Sequence, residues 1–264
     1  MPRYSANLSF LYTELPFLDR IDAAAASGFR GVEYMSPYEY DAAEIKRRLR
    51  AGGLEQVLFN LPLGDAAAGE RGYASDPARV AEFRRGVSDA IAIARELGCA
   101  RINCLVGIAV PGLDPVRARE TLVANLRHAV AELAAARITL VVEPLNRIDV
   151  PGFLVGTTAE ALALFDEVGT PAPALQYDCY HAQRSEGNLI ATLRAQIARI
   201  AHVQIADSPG RNEPGTGELA YERILPVLDE LGYEGWVGLE YKPSTSTIAS
   251  LAWLDAMRPH EVAS

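Results

Sequence analysis

The sequence is poor in cysteine and histidine and has no long apolar segment, and each scarcity excludes a class of protein. The three cysteines, Cys99, Cys104 and Cys179, have no Cys-x-x-Cys spacing, so neither a disulfide framework nor a zinc ribbon is expected. No run of about 18 apolar residues indicates a membrane span. The first residues lack the basic start and apolar stretch of a secretory signal. We therefore expect a cytoplasmic protein.

Positive charge is also scarce. Lysine and arginine number 25 against 34 aspartates and glutamates, which gives a net charge of −9. Broad binding to nucleic-acid phosphates needs clustered cations, so neither nucleic acid nor an anionic membrane is expected as a partner. Hydrophobic residues make up 49% of the 264 residues, enough for one large core. We expect one domain over residues 1–258 and a C-terminal tail at 259–264.

Extended apolar stretches alternate with helical patterns along the whole chain. Alternating strands and helices indicate βαβ units around a parallel sheet. Eight such units in a chain of about 250 residues predict an α/β fold, the single-domain (β/α)₈ TIM barrel. The eight strands are expected to begin near Tyr4, Gly31, Glu55, Arg101, Ile138, Ala174, Ala201 and Gly235.

Four polar side chains stand at the ends of the last four strand-like stretches: Glu143, Asp178, Gln204 and Glu240. In a parallel barrel the carboxyl ends of all strands lie on one face, so these side chains are expected to converge. Carboxylate and amide oxygens suit Mg²⁺ or Mn²⁺, whereas zinc would favour histidine and cysteine. The sequence therefore predicts a divalent-cation site on strands five to eight. Each residue taken alone could equally be a solvated strand end.

Two of these four residues also suggest a reaction. Glu143 and Glu240 would face each other across a small substrate, so that one removes a proton from a carbon beside a carbonyl and the other returns it. The cation would polarise that carbonyl. Aldose–ketose isomerisation and epimerisation both fit this arrangement, and neither requires an organic cofactor.

Further polar residues are candidates for binding a small acidic substrate. An anionic substrate entering an acidic protein needs a local cation, and Arg71, Arg211 and Lys242 are placed to supply one. His181 is expected on the loop after strand six. Asn7 and Asn60 end the first and third strands, where they would line the floor of the pocket.

Several longer stretches carry a resemblance to a known family: FRGVE at 29–33, AGERG at 68–72, QYD at 176–178 and HVQIAD at 202–207. Through them nearly the whole chain resembles the hydroxypyruvate isomerase family of the xylose isomerase-like barrels. The resemblance implies the conversion of hydroxypyruvate into tartronate semialdehyde, within glyoxylate metabolism. It also implies that Glu143 and Glu240 are the acid/base pair, and that the four strand-end residues bind the metal.

Other functions stay open at this point. The 2-oxotetronate isomerases share much of the pattern, and ketose epimerases resemble it but typically have histidine where Gln204 stands. A DNA-repair endonuclease on the same barrel would need several zinc ions, and this chain has four histidines in all. A non-catalytic barrel that binds a sugar acid or a protein remains an alternative, and a homo-oligomer is compatible with the sequence.

Overall fold

Eight parallel strands form a closed barrel in chain order in the computed structural model, which describes residues 2–256. The expected (β/α)₈ fold is confirmed. The tail expected at 259–264, and residues 257 and 258 of the expected domain, lie outside the described residues. The strands are β1 (Arg3–Asn7), β2 (Gly31–Glu33), β3 (Glu55–Asn60), β4 (Arg101–Asn103), β5 (Thr139–Val142), β6 (Ala174–Asp178), β7 (Ile200–Ile205) and β8 (Trp236–Leu239).

Helices surround the barrel, and each long connection between parallel strands contains at least one. No helix in the described part of the chain combines the length and the apolar character that a membrane crossing needs. The helices are α1 (Phe17–Ala26), α2 (Ala42–Gly52), α3 (Val80–Leu97), α4 (Pro115–Ala135), α5 (Thr158–Val168), α6 (Cys179–Ser185), α7 (Leu189–Gln196), α8 (Tyr221–Glu230), α9 (Thr247–Ser250) and α10 (Ala252–Ala256), with a 3₁₀ helix at Ile197–Arg199.

The barrel closes where its first and last strands pair. Arg3 lies opposite Trp236 and Ala6 lies opposite Leu239 in a parallel register. Every strand begins within one residue of the position that the apolar stretches predicted. The pattern of the sequence is therefore sufficient to number the strands and to place all their carboxyl ends on one face.

Side-chain caps mark several helix starts, and one predicted start lies elsewhere. The Asp114 side chain accepts the Val116 N–H at 3.2 Å, and Pro115 opens α4, as the sequence pattern indicates. Asp76 also precedes a proline, a sequence pattern that predicts a helix start there, and this prediction is wrong because α3 begins at Val80. The Asp76 carboxylate accepts the Ala78 N–H at 2.8 Å, which closes a turn before the helix instead.

Three long connections lie on the carboxyl face, after β3 (residues 61–79), β5 (143–157) and β7 (206–220). The connection after β6 is different, because α6 follows the strand without a loop. The Asp178 carboxylate accepts the N–H groups of Tyr180 at 2.7 Å and His181 at 3.4 Å. Because this cap starts a helix at once, His181 lies in its first turn, and the loop expected there is absent.

Candidate functional site

The four predicted residues come together at the carboxyl end of the barrel, and all four are buried. Glu143 and Glu240 directly follow β5 and β8, Asp178 ends β6, and Gln204 is the next-to-last residue of β7. A cavity of about 210 Å³ opens beside them, and it is lined by Glu143, Gln204 and Glu240 among others. Convergence from four separate strands is what the parallel barrel requires.

Part of this site is suited to a divalent cation. Glu143, Asp178 and His181 each offer one ligand atom, and these atoms all lie within 4.8 Å of one another. Glu143 Oε1 is buried without a hydrogen-bond partner. Burial, together with the charges of Glu240 and Asp178, raises the pKa of Glu143 well above its ordinary value. A bound cation would supply the missing partner and offset the repulsion, so the carboxylates of Glu143 and Asp178 fit a divalent metal ion.

One carboxyl oxygen of Glu240 accepts hydrogen bonds from two side-chain amides, and the other accepts from a guanidinium group. Its Oε2 accepts hydrogen bonds from Asn7 Nδ2 at 2.8 Å and Gln204 Nε2 at 2.6 Å. Its Oε1 accepts a short hydrogen bond from Arg211 Nη2. Burial raises the pKa of Glu240 to about 8, with the Arg211 charge acting in the opposite direction. A carboxyl group with a pKa near neutrality can both take and return a proton.

Arg211 bridges two of the acidic residues. Its Nη2 lies 3.5 Å from Asp178 Oδ2 in addition to its contact with Glu240. The guanidinium group packs over the rings of Phe10 and Tyr180, at 4.9 and 5.0 Å from their centres. Arg211 lines the cavity as predicted, but its charge is already engaged by two carboxylates.

His181 is a neutral hydrogen-bond donor at the cavity wall. Its Nδ1 accepts the backbone N–H of Asn146 at 3.2 Å, and a backbone N–H can only donate. The ring proton of the neutral imidazole is therefore on Nε2. Burial lowers the pKa of His181 well below its ordinary value, and the Arg211 and Arg184 charges act in the same direction. His181 Nε2 can thus donate to an oxygen of a bound molecule without carrying a full charge.

The remaining predicted residues divide into two groups. Asn7, Asn60 and Arg71 line the cavity. Lys242 does not line it: the residue is exposed, and its backbone N–H donates to the Arg211 carbonyl at 2.8 Å. The difference arises because the chain has left β8 by that point, so the side chain no longer follows the inward alternation of the strand.

Two amide residues that the sequence analysis did not select donate hydrogen bonds to the predicted site residues. Asn103 Nδ2, at the end of β4, donates to Glu143 Oε2 and to Asn60 Oδ1, each at 3.2 Å. Gln176, inside β6, donates to Gln204 Oε1 at 2.6 Å. Asn103 ends its strand as the predicted residues do, so the strand-end rule would have found it.

The sequence analysis also missed a buried acid–base pair below the cavity. Glu33 ends β2 and is fully buried, and its Oε2 lies 2.9 Å from Nε2 of the equally buried His202. Burial acts to raise the pKa of Glu33, but the His202 charge and hydrogen bonds from His202, Gln204 and Ser5 outweigh burial and lower it. Glu33 is therefore a buried anion beside the site.

Comparisons with known proteins agree with this geometry. A family model described as Xylose isomerase-like TIM barrel matches residues 21–257. Hydroxypyruvate isomerase of Escherichia coli K12 is 50% identical over 98% of this chain and 100% of its own length. The 2-oxo-tetronate isomerase of Cupriavidus necator is 46% identical over 96% and 98%. A crystal structure of "AP endonuclease, family 2" from Brucella melitensis has a TM-score of 0.94 and 44% identity, covering 97% of this chain and 99% of that one.

Proposed function

The chain belongs to the xylose isomerase-like TIM barrel family and is an isomerase, and on that premise we propose that it interconverts hydroxypyruvate and tartronate semialdehyde. The observation that carries the proposal is the pair of buried glutamates that line one cavity. Burial raises the pKa of both Glu143 and Glu240, and the Glu240 charge raises that of Glu143 further. The curated relative named for hydroxypyruvate covers nearly the whole chain.

The two glutamates account for the proton transfers. One carboxylate removes a proton from C3 of hydroxypyruvate, which leaves an enediolate. The other, protonated, glutamate returns a proton to C2, and the hydroxyl proton on O3 moves to O2, so that no atom is gained or lost. The raised pKa of Glu240, about 8, suits the role of proton donor near neutrality. His181 Nε2–H is placed to donate to the oxygen on which charge develops.

A divalent cation completes the proposed site. Glu143, Asp178, Gln204 and Glu240 would hold it, and their oxygen donors favour Mg²⁺ or Mn²⁺ over zinc. When bound, it polarises the substrate carbonyl and offsets the charge that develops on its oxygen. The buried, unpartnered Glu143 Oε1 supports this assignment.

Arg71 is the residue that we propose binds the substrate carboxylate. It lines the cavity, and its Nη1 donates to the carbonyl groups of Glu70 at 2.7 Å and Ala66 at 3.4 Å. Among the residues that the structure describes, no carboxylate pairs with Arg71, whereas Arg211 is engaged with two. A second anion would therefore bind more favourably at Arg71.

The carboxylate assignment is tested by replacing Arg71 with methionine. Loss of a charge-assisted hydrogen bond should raise the KM for hydroxypyruvate by about tenfold or more with little change in kcat. Inhibition by dihydroxyacetone, the uncharged analogue, should be unchanged. Lys242→Met removes an exposed cation and serves as the control. An unchanged KM in Arg71→Met would refute the assignment.

The reaction itself is tested with purified protein, first stripped of metal and then supplied with Mg²⁺ or Mn²⁺. Catalytic efficiency is compared for hydroxypyruvate, a 2-oxotetronate and a ketohexose. Preference for hydroxypyruvate supports the proposal. A higher catalytic efficiency with the 2-oxotetronate would make the protein a 2-oxotetronate isomerase. Epimerisation of the ketohexose with higher efficiency than either acid would refute the proposal in favour of a ketose epimerase.

A further inference from the structure

We propose that Glu33 is a positioning residue for the cation site, because it binds the nitrogen end of the Gln204 amide and so leaves one lone pair of the oxygen end for the metal ion. The inference rests on the metal-binding part of the proposed function. It assigns a task to a buried acid that takes no part in the proton transfers described above.

Several polar side chains of the barrel interior surround the Glu33 carboxyl group. Ser5 Oγ donates to it at 2.8 Å and Asn7 Nδ2 at 3.2 Å, in addition to the contact with His202. A Cβ atom at Gly238, on the neighbouring side of the barrel, would lie 2.2 Å from Glu33 Oε1. Glycine at that position therefore provides the space that the carboxylate occupies.

Two amide groups join Glu33 to Glu240. Gln204 Nε2 donates to Glu33 Oε1 at 2.8 Å and to Glu240 Oε2 at 2.6 Å. Asn7 Nδ2 donates to the same two oxygens at 3.2 and 2.8 Å. Each amide thus donates both of its protons to this pair of carboxyl groups, which fixes the side chain of Glu240.

The direction of the Gln204 amide follows from these contacts. Glu33 accepts hydrogen bonds from Gln204, Ser5 and Asn7, so the nitrogen end of the Gln204 amide faces it. Gln204 Oε1 is then turned to the opposite side, where it accepts from Gln176 Nε2 at 2.6 Å and keeps one lone pair free. A residue at position 33 that can both donate and accept could bond to either end of the Gln204 amide. Gln204 Oε1 would then not always face the proposed cation site.

The test is calorimetric binding of Mn²⁺ to metal-stripped protein. Glu33→Gln keeps the shape of the side chain but no longer favours the nitrogen end of the Gln204 amide. We expect the Kd for Mn²⁺ to rise about 10- to 100-fold, the usual effect of replacing a residue that orients a metal ligand. Ser5→Ala is the matched control, since it removes a donor to Glu33 without touching Gln204. Its Kd should stay within about threefold of wild type.

A double variant addresses the case in which Glu33→Gln folds poorly. Gln204→Ala removes the amide through which Glu33 acts, so adding Glu33→Gln to Gln204→Ala should change the Kd for Mn²⁺ by less than about threefold, whereas misfolding caused by Glu33→Gln would weaken binding in both backgrounds. An unchanged Kd in Glu33→Gln, an equal loss in Ser5→Ala, or a further large loss in the double variant would overturn the inference. So would wild-type protein that binds no divalent cation. Wild-type protein that binds Mn²⁺ but does not convert hydroxypyruvate refutes only the proposed substrate.

Discussion

Glu240 is the residue on which the proposed proton transfer depends most directly. Glu240→Gln keeps the hydrogen bond from Asn7 but cannot exchange a proton, so kcat should fall by at least about 10³-fold. The fold should persist, because the two side chains have the same shape. Steady-state kinetics with hydroxypyruvate and circular dichroism measure the two effects.

The control for that substitution is Glu55→Gln. Glu55 begins β3, at the opposite end of the barrel, and accepts a hydrogen bond from Trp236 Nε1 at 3.2 Å. Its replacement should leave kcat unchanged. Turnover by Glu240→Gln at the wild-type rate would rule out the acid/base role.

The raised pKa of Glu240 also makes a prediction for stability without metal. Glu240 ordinarily has a pKa of 4.5, and in the folded protein the value is about 8. At neutral pH the folded state therefore keeps a proton that the unfolded chain has lost, and the resulting stabilisation disappears as the pH rises through about 8. Between about pH 7 and 8.5 the free energy of unfolding should drop by about 1 kcal/mol more in wild type than in Glu240→Gln.

Urea unfolding in the presence of a chelator measures this difference. The lowered pKa of His181 adds pH dependence only below its ordinary value of about 6.5, outside this range. Equal pH dependence in the two proteins would show that Glu240 is ionised throughout.

Individual site residues could be predicted wherever the strand end alone determines the side chain's position. This holds for the four strand-end residues, which the structure brings together: Glu143, Asp178, Gln204 and Glu240. Glu33 also ends its strand, but its contact with His202, on the other side of the barrel, could not be predicted because it depends on closure of the sheet. For Lys242 the sequence showed a positive charge near the site but could not show that the side chain points away from the cavity.

At the scale of a single element, the connection after β7 is organised by Asp207. Its Oδ1 accepts the N–H groups of Ser208 at 2.9 Å and Leu219 at 3.0 Å. Its Oδ2 accepts those of Gly215 at 2.8 Å and Gly217 at 2.9 Å. One buried carboxylate therefore holds the loop that carries Arg211 to the cavity.

Replacement of Asp207 by alanine should loosen this loop. Buried N–H groups would lose their acceptor, and we expect a loss of about 3 kcal/mol in the free energy of unfolding, together with lower activity because Arg211 is displaced. Asp65→Ala is the control, since Asp65 lies on an exposed loop and accepts one backbone N–H, from Ala68. Equal stability of the two variants, measured by urea unfolding, would show that the Asp207 contacts add nothing.

Strands could be predicted more reliably than helix starts. An apolar stretch marks a buried strand by itself, and all eight were found. The beginnings of α3 and α6 each depend on which backbone N–H groups a preceding aspartate accepts. Asp76 closes a turn and Asp178 caps a helix, and the sequence alone did not distinguish these two roles.

For the whole molecule, the concentration of buried carboxylates predicts stabilisation by metal. A cation that binds the folded state but not the unfolded chain stabilises the protein, so the proposed site predicts that Mn²⁺ at about 100 times its Kd adds about 2.7 kcal/mol to the free energy of unfolding. Asp178→Asn should abolish most of that gain, and asparagine can still cap α6. Thermal unfolding against Mn²⁺ concentration checks this. An equal rise in the unfolding temperature of wild type and Asp178→Asn would show that Mn²⁺ binds at another site.

The pairing of β1 with β8 has a consequence for how the protein is made in the cell. Asn7 and Glu240 are separated by 233 positions in the chain and meet only when the barrel closes. A growing chain on the ribosome therefore carries Asn7 from the start but has no complete site until the last strand has left the exit tunnel. A product terminated before β8 would lack Glu240 and the edge that β1 requires. Synthesis of the protein should thus yield activity only with full-length chains, and a shortened chain should be a substrate for proteolysis rather than a weak enzyme.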